Sequence, residues 1–101
     1  MNADKQLLYT ISERLKEYPS IEKAVLFGSR ARGDNTERSD YDIAVYGQLA
    51  QNDKYELRYI FREELPTLHK IDLIFMQDQN GSVFMENIER EGIIIYAADR
   101  K

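Results

Sequence analysis

The sequence predicts an α/β fold: a short, mostly mixed sheet of about four strands with helices packed against it. Two observations point there. Apolar residues recur at helical spacing in three separate segments, and short apolar, partly β-branched runs lie between those segments. Glycine and proline mark most of the changeovers.

Taken in order, Leu7, Leu8, Ile11, Leu15 and Tyr18 place an amphipathic helix over residues 4–18, ended by Pro19. "KAVLFG" (23–28) reads as a buried strand, and a short helical turn follows through "RARG". "YDIAVYG" (41–47) alternates and closes at Gly47. Leu57, Ile60, Phe61 and Leu65 predict a second long helix, N-capped by Asn52 or Asp53. "HKIDLIFM" (69–76) is a third strand. Val83, Phe84 and Ile88 mark a further helix, closed at Gly92 as a C-cap, and "IIIY" (93–96) is the fourth strand. Such a small sheet leaves open a face that a partner could cover.

Residues 1–101 read as one domain, without a linker, repeat or low-complexity segment. The chain is 43% hydrophobic and 32% charged, which excludes the disordered class. It has no cysteine, so disulfides and thiolate metal sites are excluded. No signal peptide or membrane-length apolar run is visible, and the expected location is the cytoplasm. Fourteen basic against eighteen acidic residues give a formal charge of −4, which argues against a generic, charge-driven nucleic-acid binder. Arg30, Arg32 and Arg38 nevertheless cluster, a combination that suits a small anionic ligand better than a polymer.

The chemistry concentrates in "FGSRARGDNTERSDYD" (27–42). Asp40 and Asp42 stand two apart at a strand start and so share a face, while Tyr41, Ile43 and Val45 take the other. Asp72 interrupts the apolar strand "KIDLIF", opposite in direction to Ile71, Leu73 and Phe75. If the two strands are neighbours, three carboxylates converge. Like charges repel unless cations lie between them, and magnesium is the hard divalent cation that all-oxygen ligands suit. Two such ions about 3.5–4 Å apart form a clamp for phosphoryl displacement. The competing structural reading makes the D-x-D a pair of solvated turn residues, but an aspartate inside an apolar strand must be paired or exposed.

At the other end of the window, Gly28 lets a phosphate approach the backbone, and Ser29 adds a donor. A P-loop is excluded, because Asp34 and Asn35 stand where it requires Lys and Ser or Thr. No G-x-G-x-x-G is present, which excludes a dinucleotide fingerprint.

Gly28-Ser29, ten intervening residues, then Asp40-x-Asp42 reproduce a GS-x10-DxD pattern, completed by Asp72 and the late "EGIIIY". This resembles the nucleotidyltransferase superfamily of DNA polymerase beta, and within it the minimal nucleotidyltransferase (MNT, or MntA-type) antitoxins. The resemblance implies a small nucleotidyltransferase fold. It implies that Gly28 and Ser29 bind the nucleoside triphosphate, with Arg30 and Ser39 as further nucleotide contacts and Arg32 and Arg38 behind them. Asp40, Asp42 and Asp72 would bind two Mg2+ ions, Asp72 also serving as general base. The implied reaction moves AMP from ATP to a hydroxyl, in the family often a tyrosine of a HEPN-domain toxin, which is thereby silenced. Larger relatives carry a second domain for the acceptor. This sequence shows none, which favours a protein acceptor that brings its own site.

Two other functions stay open at this level: an antitoxin that neutralises by binding alone, and a nucleotidyltransferase of small molecules such as aminoglycosides. A homo- or hetero-oligomer is equally open. His69 heads a strand and is a poor magnesium ligand; Tyr55 and Tyr59, four apart, suit either an interface or partial core packing.

Overall fold

The computed structural model describes residues 3–99. Helix α1 (Lys5–Lys16) leads into strand β1 (Ile21–Phe27), the short helix α2 (Ser29–Arg32) and strand β2 (Tyr41–Gly47). Helix α3 (Gln51–Glu63), strand β3 (Ile71–Phe75) and a 3-10 turn (Met76–Asp78) follow, then helix α4 (Ser82–Glu91) and strand β4 (Ile93–Ala97). The sheet order is β3-β2-β1-β4. β1 runs antiparallel to β2 and β4, whereas β2 and β3 are parallel, so the sheet is mixed as expected.

Strand alternation gives the sheet two unequal faces. Tyr41, Ile43, Val45, Ile71, Leu73 and Phe75 point one way and are buried beneath α1 and α3, with Leu7, Ile11, Leu15, Leu57 and Phe61. The other face carries a smaller cluster of Val25, Ala44, Met76 and Ile88, covered by α4. Both layers exist because β1 and β2 are apolar on both sides.

Several boundaries differ from the sequence reading, each for a physical reason. α1 stops at Lys16, three residues before Pro19, because proline pushes the residue before it out of helical geometry. Asp4 caps its start, its carboxylate accepting from the amides of Gln6 and Leu7 at 2.9 and 3.2 Å. Neither Asn52 nor Asp53 caps α3; Ala50 holds that position without a side-chain bond. A tertiary clamp sets this helix start instead: Leu49 donates its amide to Gln77 Oε1 at 2.8 Å and accepts from Gln77 Nε2 at 3.3 Å. β3 is shorter than 69–76, since Met76 begins the 3-10 turn. In α4, Val83 is exposed and Phe84 is only partly covered; Met85 and Ile88 face the sheet, because α4 covers a narrow strip of it. Gly92 is the C-cap, but with an extended φ of −74° rather than a left-handed one. Glycine is needed there for space: a Cβ would come within 2.2 Å of Val25 Cγ1. Tyr55 and Tyr59 are exposed on α3, outside the core.

Among the described residues, no helix is long and apolar enough to cross a membrane.

Candidate active site

Register decides the site. β2 and β3 pair in parallel with Asp42 directly opposite Asp72, so both carboxylates leave the sheet on the face away from the main core. On the other side of β2, Asp42 stands opposite Phe27, the residue before Gly28. Gly28 has φ +77°, a conformation that L side chains rarely adopt, and a Cβ there would lie 2.4 Å from Asp42 Oδ2. Glycine is therefore required twice over, by backbone conformation and by the carboxylate packed against it. Ser29 opens α2, which Gly33 closes with φ +87° and a bond from its amide to Ser29 O at 2.9 Å.

The electrostatics follow from this placement. Burial pushes the Asp42 carboxyl above the ordinary carboxylate range, and the charges of Asp72 and Asp40 push it further. Lys70 and Arg32 pull the other way without reversing the shift. Lys70 also sits 3.4 Å from Asp72 Oδ1. Among the described residues, no three carboxylate or imidazole groups form a closed cage for a metal, so the aspartates are electrostatic neighbours rather than a tight cluster. Their chemistry still fits a divalent cation: the donors are all oxygen, and Asp42 carries an uncompensated repulsion that a cation would relieve.

The arginines of the polar window sort into different tasks. Arg30 is only 5% exposed. Its Nε donates to Ser39 O at 3.1 Å, its Nη2 to Glu37 O at 3.2 Å, and its guanidinium lies 4.2 Å from the Tyr41 ring centre. It thus braces the loop that delivers Asp40. Ser39 belongs to the same brace, its hydroxyl accepting from the Thr36 amide at 3.0 Å. Arg32 pairs with Asp34 and with Glu91 of α4, each at 3.2 Å. Arg38 is exposed, with its amide on Thr36 Oγ1. His69 lies edge-on to Tyr41, with ring centres 5.4 Å apart.

The sequence reading passed over Lys70 and the edge-to-face pair of Phe27 and Phe84, 6.0 Å between ring centres beside the Gly28 turn. For Lys70 the signal was available, because residues two apart on a strand share a face. For the aromatic pair there was none, since α4 is brought over the sheet by tertiary packing alone.

The sequence profile of the polymerase beta nucleotidyltransferase family matches residues 9–101. The chain belongs to that family. A curated relative, an inferred protein adenylyltransferase of Methanocaldococcus jannaschii, is 42% identical over 50 residues, which cover 48% of this chain and 50% of that protein. The match thus spans about half the length of either. A toxin–antitoxin complex solved with AMP-PNP superposes with a TM-score of 0.70 at 20% identity, over 95% of this chain and 75% of that one. The MNT antitoxin bound to a tri-AMPylated HEPN toxin of Shewanella oneidensis gives 0.65 at 21% identity, over 94% and 74%. At these identities the likeness is one of fold, and the small α/β nucleotidyltransferase fold is common to all of them.

Proposed function

We propose that this chain is a magnesium-dependent nucleotidyltransferase that moves AMP from ATP to a tyrosine hydroxyl of a HEPN-type toxin, acting as the antitoxin of the pair. The observation that carries this reading is the register of Asp42 with Asp72, under a Gly28 turn that has room for no side chain. Family membership supports the reaction class. The archaeal relative named for protein adenylylation supports the acceptor, and the MNT fold seen beside an AMPylated HEPN toxin supports the partner.

Gly28 and Ser29 take the triphosphate, with the Ser29 hydroxyl as a donor. Asp40, Asp42 and Asp72 would hold magnesium, two ions in this reading, and the bound metal would neutralise charge on the phosphates. Asp72 accepts the proton of the acceptor hydroxyl. That oxygen bonds to the α-phosphorus as the bond from this phosphorus to the bridging oxygen breaks, and pyrophosphate leaves. Arg30 and Ser39 serve the nucleotide by fixing the loop into Asp40. Most of the work is positioning and charge placement, which a small scaffold can do. In this reading the reaction takes place in the cytoplasm.

Incubation with α-labelled ATP, magnesium and the HEPN protein encoded beside it should label that protein. An Asp40→Ala, Asp42→Ala double variant should fold, fail to label it and fail to neutralise it. Neutralisation that survives in the double variant would make the chain a binding antitoxin. Transfer to an aminoglycoside without any partner protein would make it a small-molecule enzyme.

A further inference from the structure

A groove of about 520 Å³ runs along the outer edge of β3, between that strand, α3 and the segment joining them. Three features set it apart. First, β3 is an edge strand, paired among the described residues with β2 alone, so the backbone groups on its outer side are not used by the sheet. Second, the lining includes the apolar side chains of Phe61, Leu68 and Ile71, and Leu68 is fully exposed at 106%. Third, the lining carries three cations, Arg58, Arg62 and Lys70; Lys70 is paired with Asp72 at 3.4 Å and Arg62 with Glu63 at 3.1 Å, both pairs at the surface, which leaves Arg58 as the uncompensated charge of the groove. Arg58 lies over the Phe75 ring at 4.7 Å and has no carboxylate partner among the described residues.

The position of the groove matters as much as its lining. Across the sheet, the Gly28 turn flanks β2 on the β1 side, and the groove flanks β3 on the opposite side. Asp42 and Asp72 stand between them. Asp72 itself lines the groove, so an acceptor lying there would reach this carboxylate from the side away from the Gly28 turn.

We propose that this groove docks the acceptor: an extended, acidic polypeptide segment lies along β3 and delivers its tyrosine hydroxyl to Asp72. This rests on the nucleotidyltransferase reading above and adds where the acceptor binds and by what chemistry. A free strand edge pairs with a peptide backbone, the apolar lining takes alternate side chains, and the rim cations select acidic neighbours. A nucleic-acid strand would need a longer cationic track and stacking platforms than this site offers. Part of the acceptor site thus belongs to this chain rather than to its partner alone.

The test uses the full chain and two fluorescent peptides, one with a tyrosine between glutamates and one with the same tyrosine between lysines. Binding is read by anisotropy and AMP transfer by label from ATP. The acidic peptide should bind about tenfold tighter or more, and be labelled with a correspondingly lower KM. Arg62→Glu and Leu68→Asp, both at exposed positions that cannot unfold the core, should each erode that preference while leaving magnesium-dependent ATP binding unchanged. Equal affinity for the two peptides, or a preference untouched by both variants, overturns the proposal. So does competition by a short RNA that matches or exceeds the acidic peptide. Absence of AMP transfer to every acceptor, with the binding preference intact, would sink the nucleotidyltransferase reading and leave the groove standing.

Discussion

The two faces of the sheet are built from alternate residues of the same strands, yet they do different work. Tyr41, Ile43 and Val45 are almost wholly buried under α1 and α3, while Asp42 between them is only half-buried and electrostatically strained. β3 repeats the arrangement, with Ile71, Leu73 and Phe75 against Asp72. The core face supplies stability; the α4 face is covered by Met85 and Ile88 only in part, which leaves the Asp42–Asp72 end open. Each strand can thus carry an aspartate on its second face at little risk to the fold, because Asp42 and Asp72 are each anchored by buried neighbours on either side.

That contrast can be broken most forcefully at Asp42. Asp42→Asn should lower AMP transfer by on the order of a hundred- to ten-thousand-fold while the melting temperature at neutral pH rises. The stability effect has a definite sign. Burial first, then Asp72 and Asp40, raise the carboxyl, so the folded state holds this proton more tightly than the unfolded chain. The resulting stabilisation is complete below the ordinary carboxylate value and is lost as pH rises through the raised one. Thermal melts across the acidic range should show that slope in the native protein and a flatter profile in the variant.

Ile43→Ala, one residue along and on the other face, should do the reverse. Loss of a fully buried side chain costs about 2–5 kcal/mol in urea unfolding, while the folded fraction keeps its specific activity. An activity loss as large as that at Asp42 would show that the two faces are not separable. Gly28→Ala tests where they meet: a left-handed φ costs about 1–2 kcal/mol, and displacement of Asp42 should cut transfer by roughly a hundredfold. Arg30→Gln should be the mildest in its effect on transfer, although it costs about 1–3 kcal/mol of stability from the lost bonds to Glu37 and Ser39. Its mark should be a higher KM for ATP, because the loop into Asp40 loses its brace.

Periodicity made the element types and their order legible, and the alternation of "YDIAV" and "IDLIF" made the two faces legible before any pairing was known. Boundaries were less so. The start of α3 is set by Gln77, which is remote in sequence, and the burial along α4 follows from how narrow a strip it covers. Among the arginines, the sequence showed a cluster of three, and Arg30 was set before Arg32 and Arg38 by the family resemblance alone. Only the folded chain separates buried Arg30, stacked on Tyr41, from Arg32 and Arg38 at the surface.

By itself, then, the sequence determined which residues carry charge on which face of each strand, because strand geometry is local and its period is fixed. It also determined that a glycine precedes Ser29. Tertiary structure decided that β2 and β3 are neighbours, that their register sets Asp42 against Asp72, and that Gly28 rests on Asp42. It also decided that β3 is an edge strand beside a cationic groove. These are matters of pairing between segments that are not neighbours in the sequence, and they are settled by burying both apolar strand faces at once.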